Sequence, residues 1–332
     1  MIIVTGATGF IGRRVVARLV AEYPGREVVC LVRDAETPLE LSGREVLARL
    51  GVRTLKVDLA AGRGMERVPR SPDLVLSLAA NTDTEESDHT CNDVGLRNLY
   101  GALAPLASGA HFLHVSTTAL LAGRADAGSP FTEETPPAPS NEYGRSKLRA
   151  EEFIAARAAR DRFALTVCRL TTVWGEGMRP NSFFDVLKRM VLQGSPVTRL
   201  NWPGLTDLIH VDDAAELIVA LSKRPGQPGA ARLYTLSTEA LTLAEVNRML
   251  HERLGVEYRP INLPAPFWKA AASSRRLVYA LERLLPARLY NPLWRATLVS
   301  DNVIYADTSK IKREFPGREP KRLADFIEDV LG

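Results

Sequence analysis

Tyr143 and Lys147 stand four residues apart in the run Tyr-Gly-Arg-Ser-Lys. On a helix that spacing puts both side chains on one face. A phenol with a pKa of about 10 exchanges its proton poorly at neutral pH, and a neighbouring ammonium favours the phenolate and lowers that value. The pair therefore suits general acid/base work on a carbonyl or a hydroxyl. The alternative is an exposed helix face with an incidental Tyr and Lys. Thr117 and Thr118 end an apolar, strand-like run. A hydroxyl there could hydrogen-bond a substrate oxygen while Tyr143 moves the proton, or simply cap its own backbone.

The opening of the chain supplies the second half of such chemistry. Ile2 to Val4 is a β-branched run that reads as a buried strand, and it gives way at Thr5-Gly6 to helical periodicity from Phe10 onward. Gly6, Gly9 and Gly12 punctuate the turn, with Thr8, Phe10 and Ile11 between them. The first glycine allows a tight turn, the second lets backbone approach a pyrophosphate, and the third lets the helix lie against the sheet. The helix N-terminus adds free N–H groups and partial positive charge. A purely structural glycine turn is the competing reading.

The rest of the chain must position these groups. Further strands are expected at 27–32, 53–57, 74–78, 112–115 and 165–170, with helical patterns between them, notably 92–106 and 143–159. That alternation implies a parallel sheet covered on both faces, with ligands outside the carboxyl ends of its strands. Beyond Gly175 the pattern loosens: a helix at 183–192, a strand at 207–211, a helix at 213–222, a strand at 232–236, then mostly helix from Thr242. Thr132 to Ser140 reads as a Pro-rich surface loop.

Of the 332 residues, 45% are hydrophobic and 25% charged, an ordinary globular balance. The net charge of +4 is spread without the basic, aromatic-interleaved runs that single-stranded nucleic acid requires, so no nucleic-acid partner is expected. No stretch reaches the roughly 18 apolar residues of a membrane span. Cys30, Cys91 and Cys168 have neither metal nor disulfide spacing, so no metal is expected. With a strand from the first residues leaving no room for a leader, a cytoplasmic location is the expectation.

Taken in order, Gly6, Gly9 and Gly12, Asp58-Leu59, Leu78-Ala79-Ala80-Asn81, Asn92-Asp93-Val94-Gly95, Ser116-Thr117-Thr118, Tyr143 to Lys147 and Ile209 to Ala214 resemble the extended short-chain dehydrogenase/reductase family. The resemblance covers residues 1 to about 220 and fades beyond about 237. It implies an α/β fold: a Rossmann-type doubly wound parallel sheet with a smaller, mostly helical C-terminal substrate domain. Residues 1–173 would form the dinucleotide-binding domain, completed near 205–236 and 302–308, with 174–204 and 237–332 forming mainly the substrate lid. Tyr143 would be the catalytic acid/base, and Lys147 would lower its pKa and hold the nicotinamide ribose. Thr118 would orient substrate, with Thr117 the alternative by a one-residue slip. Asp58 and Leu59 would contact adenine, and Ala79, Ala80 and Asn81 would line the pyrophosphate and nicotinamide side. Thr171 and Val173 would lie beside the carboxamide, and Thr84, Trp174 and Phe183 would face substrate. Leu170 stands where the family usually has proline, and Trp174 where it often has tyrosine.

Strand two ends at Val32, where a carboxylate would select NAD; Arg33 follows, suited to a 2′-phosphate, and Arg13 could add a second charge. NADP(H) is therefore favoured. NAD(H) stays open through Asp34, 22 positions after Gly12. The reaction expected is reduction of a ketone, aldehyde or thioester-derived carbonyl in a moderately large apolar substrate, and resemblance to flavonol, thioester and steroid-dehydrogenase types supports it. Family dehydratases usually carry Asp-Glu after the catalytic Thr, whereas Thr118-Ala119 follow Thr117 here. A nucleotide-sugar epimerase with retained NAD is the alternative enzyme, and a non-catalytic NADP-binding redox sensor the alternative of another class. A homodimer is expected by analogy with relatives. The basic, aromatic-rich stretch 266–294 reads first as a packed lid, and second as a membrane-surface contact.

Overall fold

The computed structural model describes residues 1–331 apart from 85, 87 and 125, and the backbone alone at 283, 287 and 288. The side chains of Arg283 and Arg288 therefore lie outside the described residues. The strands, in chain order, are β1 (Ile2–Thr5), β2 (Val28–Val32), β3 (Arg53–Lys56), β4 (Leu74–Ser77), β5 (His111–Thr117), β6 (Ala164–Leu170), β7 (Thr172–Trp174), β8 (Leu205–His210), β9 (Ala231–Leu236) and β10 (Glu239–Thr242). The helices are α1 (Gly12–Glu22), α2 (Pro38–Arg49), α3 (Thr90–Leu103), α4 (Glu142–Asp161), α5 (Phe183–Leu192), α6 (Val211–Ser222), α7 (Leu243–Arg253), α8 (Ala265–Ser273), α9 (Arg275–Ala280), α10 (Ala287–Val299), α11 (Ser309–Glu314) and α12 (Glu328–Leu331).

The main sheet has seven parallel strands in the order β3-β2-β1-β4-β5-β6-β9. Both faces are covered, as its continuous apolar strands require. Val15, Val16 and Leu19 of α1 pack on one face with Leu217, Ile218 and Leu221 of α6. Leu96, Leu99 and Leu103 of α3 pack on the other with Ile154 and Ala158 of α4. The strand order reverses between β1 and β4, which opens the ligand crevice at their carboxyl ends.

Three local outcomes differ from the sequence reading. The strand expected at 207–211 begins at Leu205 and joins a separate three-stranded sheet, β10-β8-β7, so β9 alone extends the main sheet. Segment 302–308 contributes isolated bridges, Thr206 to Ile304 and Phe131 to Ala306, instead of a strand. α3 stops at Leu103 because Pro105 holds Ala104 extended, at ψ 150°.

The C-terminal region has its own core, in which Trp174, Phe184 and Leu187 meet Leu208, Val246, Leu250 and Leu323. It is also tied back to the loop before α4. The Arg124 guanidinium donates to the carbonyls of Val303 at 3.0 Å and Asn302 at 2.8 Å. Phe131 and the 305–307 backbone exchange two further bonds.

Candidate active site

The glycine loop is shaped by close approach. Gly6 has φ +67°, and a Cβ there would meet the Ala79 amide at 2.7 Å. A Cβ on Gly12 would meet the Gly6 carbonyl at 2.0 Å, so only glycine lets α1 begin this close to β1. Ile11 caps α1 without a side-chain hydrogen bond, and the first turn holds no acid. The Gly9, Arg13 and Arg14 amides bond within the turn, and the partial positive charge of the helix start, with the close backbone approach the glycines allow, fits a dinucleotide pyrophosphate. Gly9, Phe10, Ile11 and Gly12 form this edge. Thr8 turns away, donating to Glu40 Oε2 at 3.0 Å.

Asn141 accepts the Gly144 amide at 2.8 Å and so starts α4 beside the end of β5. Tyr143 lies in that first turn, and Thr117, whose hydroxyl accepts the Ala119 amide at 3.1 Å, stands at its phenol. Burial pushes the phenol's pKa up, while Thr117 and the Arg179 charge act downward. Lys147 is not among the groups acting on the phenol. Its ammonium, 2% exposed, instead donates to the Val115 carbonyl of β5 at 2.6 Å. Burial brings Lys147 down to about 8, opposed by Glu151 and Cys91. Glu151, one turn further along α4, pairs with buried Arg169 of β6 at 2.8 Å.

The favoured Thr118 is not beside Tyr143. β5 ends at Thr117, and Thr118 opens the tight turn that follows, buried with its hydroxyl on the Leu170 carbonyl at 3.4 Å. Thr117, the one-residue slip, is the threonine that stands at the Tyr143 phenol.

Two neighbours of Tyr143 escaped the sequence reading. His89 sets its ring 5.7 Å from the Tyr143 ring. Arg179, in the loop after β7, reaches back to Asp83 at 2.8 Å and to the Thr82 carbonyl at 3.3 Å. Asn81 is held by Asn92, whose Oδ1 accepts its amide at 2.7 Å and whose Nδ2 donates to Ser146 of α4 at 2.9 Å. Nothing in the local spacing of His89 or Arg179 marks either residue; only the fold brings them together.

At the adenosine end, Val32 is buried and Arg33 is exposed. Asp34 turns to Lys56 Nζ at 2.7 Å, an ion pair that lowers its pKa. The carboxylate nearest Arg33 is instead Glu40 of α2, 3.8 Å from Arg33 Nε and 3.9 Å from Arg44 Nε. Glu40 was missed because Thr37-x-x-Glu40 reads as a helix cap. Arg13 does not join Arg33: it donates to the Gly177 carbonyl at 3.2 Å, and burial lowers its pKa.

The remaining expected residues divide. Asp58 accepts the Ala61 amide at 3.0 Å and caps its own turn, with Leu59 against Gly95. The Ala79 amide donates to Thr5 at 3.1 Å, and Ala80 follows it at the end of β4. Thr171 donates to the Leu236 carbonyl at 3.1 Å, and Val173 pairs with Ile209. Phe183 opens α5 half-buried, and Thr84 accepts from Asn291 and Arg295 of α10. Trp174 needs correction as a substrate wall. It is fully buried, with its ring against Phe184 and His210, because β7 turns it into the C-terminal core.

Comparison with known proteins gives this geometry its family. Residues 2–236 match the model of the NAD-dependent epimerase/dehydratase family. The chain belongs to that family, among the extended short-chain dehydrogenases/reductases, and is an NAD(P)-dependent enzyme of that type. It is 30% identical over 272 residues to dTDP-6-deoxy-L-talose 4-dehydrogenase (NAD(P)(+)) of Kitasatospora kifunensis, covering 79% of this chain and 82% of the relative. It is 31% identical over 270 residues to ceramide reductase of Caulobacter vibrioides, covering 80% and 74%. Among solved structures, dTDP-glucose 4,6-dehydratase from Bacillus anthracis in complex with NAD superposes with a TM-score of 0.70. That match has 20% identity and covers 99% of this chain and 95% of the other.

Proposed function

We propose that this enzyme is an NADP(H)-dependent reductase of a carbonyl in a moderately large, apolar substrate. The observation that carries the reading is the placing of Thr117 and Arg179 at the Tyr143 phenol, where no carboxylate among the described residues acts on it. Elimination needs such an acid, whereas carbonyl reduction needs one proton donor and a group to orient it. The Caulobacter relative named for ceramide supports an apolar substrate, and exposed Arg33 supports a 2′-phosphate.

The residues divide the work. The α1 N-terminus would hold the pyrophosphate, Arg33 the 2′-phosphate and Lys147 the nicotinamide ribose. When bound, the nicotinamide supplies the hydride. Tyr143 gives its proton to the substrate oxygen, and Thr117 fixes the direction of the phenol. Arg179, whose charge acts on the phenol, would steady the phenolate that remains, and Lys147, brought down to about 8 by burial, stays on the Val115 carbonyl one turn further along α4. A homodimer whose interface includes α4 belongs to the same proposal.

A second reading, an NAD-dependent nucleotide-sugar epimerase, draws on Glu40, a buried carboxylate beside the glycine loop that suits ribose hydroxyls. Titration with NADPH and NADH, followed by a carbonyl panel with the preferred cofactor, separates the two. Tight, unreleased NAD in the purified protein would overturn the first.

A further inference from the structure

The segment from α8 through α10 has two unlike faces. Its inner face is bonded to the neighbourhood of Tyr143. Tyr279 donates to the Ala122 carbonyl at 2.7 Å, Tyr290 to the Ser140 carbonyl at 3.1 Å, and Trp294 Nε1 to Ser140 Oγ at 2.8 Å. Glu282 accepts from the Glu142 amide at 3.1 Å and from Arg145 at 2.8 Å, so it is spent on the start of α4.

The outer face is apolar and basic. Among the described residues eleven large hydrophobic side chains are exposed, and five of them lie here: Phe267, Leu277, Leu284, Leu289 and Leu293. Leu284 is 76% exposed and Leu277 66%, values that single, scattered surface leucines do not explain when five fall within one short helical cluster. Leu289 and Leu293 are four apart on α10 and share a face, while Tyr290 and Trp294 hold the other. Exposed Lys269 and Arg276 adjoin these side chains. Arg275 turns inward to Asp301 at 3.5 Å and Arg295 to Thr84 at 3.3 Å, so Lys269 and Arg276 are the cations on this face among the described residues; in sequence, residues 264–298 add Arg283 and Arg288 and hold one acid, Glu282, which is itself spent on α4.

We propose that this outer face docks on an anionic lipid bilayer, the leucines and Phe267 entering the acyl boundary and the cations meeting lipid phosphates. The charge balance selects this occupant. A second copy seated on the same face by a two-fold would set basic residues against basic residues, whereas an anionic surface complements them. Because the inner face abuts Ser140 and Ala122, docking sets the Tyr143 crevice next to the membrane. The inference goes beyond the carbonyl-reductase reading and does not rest on it, since binding needs no turnover.

The test is sedimentation of the intact protein with vesicles of phosphatidylglycerol and phosphatidylcholine, and with phosphatidylcholine alone, at low and high salt. Binding should be about tenfold stronger to the anionic vesicles and should fall with salt. The double variant Leu277→Ser/Leu284→Ser should lose about tenfold in binding to them. Lys269→Glu/Arg276→Glu should erase the preference for anionic lipid, and Leu192→Ser, at an exposed leucine elsewhere, should change nothing. Cofactor titration and melting of each variant report folding. Absence of an anionic preference, or wild-type binding by both double variants, overturns the proposal. Conversion of a dimer to a monomer by Leu277→Ser/Leu284→Ser overturns it in favour of a second copy.

Discussion

The Thr8 hydroxyl donates to Glu40 Oε2 at 3.0 Å and so joins the glycine loop to the first turn of α2. Glu40 is buried, its Oε1 has no hydrogen-bond partner, and Arg33 lies 3.8 Å from its other oxygen. The adenosine end thus holds a cation for a 2′-phosphate and a carboxylate that opposes one. Arg33→Ala should weaken NADPH by about 1.5–3 kcal/mol, the worth of a charge-assisted hydrogen bond, with NADH nearly unchanged. Glu40→Gln should move the ratio the other way, strengthening NADPH and weakening NADH. Calorimetric titration of both cofactors measures it; equal losses for the two with Arg33→Ala would exclude a phosphate contact.

The two threonines separate by substitution. Tyr143→Phe should lower turnover by about 10²–10⁴-fold with cofactor affinity kept. Thr117→Val should lower kcat, since Thr117 stands at the phenol and acts to lower its pKa. Thr118→Val should leave kcat near wild type and cost about 1 kcal/mol of stability, through one lost hydrogen bond to Leu170. Steady-state rates alongside urea melts decide between them, and a larger kcat loss at Thr118 would reverse the assignment.

Lys147 gives a pH dependence with a definite sign. Burial, opposed by Glu151, leaves it titrating at about 8, so its charge is present below that pH and lost above it. Activity that depends on the ammonium should fall as pH rises through about 8. Glu151→Gln removes the group that holds the value up and leaves Arg169 unpaired nearby. The alkaline limb of kcat should then move to lower pH. A limb that stays in place would detach it from Lys147.

Asp207 makes stability, as distinct from activity, respond to pH. It accepts from Ser237 at 2.9 Å and from the Ala306 amide at 2.6 Å, and burial raises it from 3.8 to about 7 against those bonds. Between those values the folded chain holds a proton that the unfolded chain has released. Its contribution is therefore full below about 4 and lost as pH rises through about 7. Urea midpoints should fall across that window in the wild type and less so in Asp207→Asn. Parallel profiles would refute the assignment.

The parallel core was legible because its inner strands are short apolar runs ending in polar residues, alternating with helical patterns; edge strand β3, Arg-Thr-Leu-Lys, is the exception in composition. β7 and β10 were not, since they belong to the separate small sheet and fall outside the alternation of strands and helices. The Tyr143–Lys147 pair follows from helical spacing, and the choice of threonine turns on a single residue of strand register, which a Ser-Thr-Thr run does not fix. Glu40, His89 and Arg179 reach the site from elements far apart in the chain. Trp174 was read as a wall because it stands where the family often has tyrosine, but it is buried in the C-terminal core with Phe184 and Leu208.

The ties from Arg124 and Phe131 to residues 302–307 set a timetable for synthesis. The loop leading into α4 leaves the ribosome well before the backbone that fastens it. At translation speeds of ~5–20 residues per second, the nascent enzyme waits on the order of ten to thirty seconds between the two. In that interval the Arg124 guanidinium and the Phe131 backbone lack these partners. A premature stop near residue 300 would leave them without those bonds permanently.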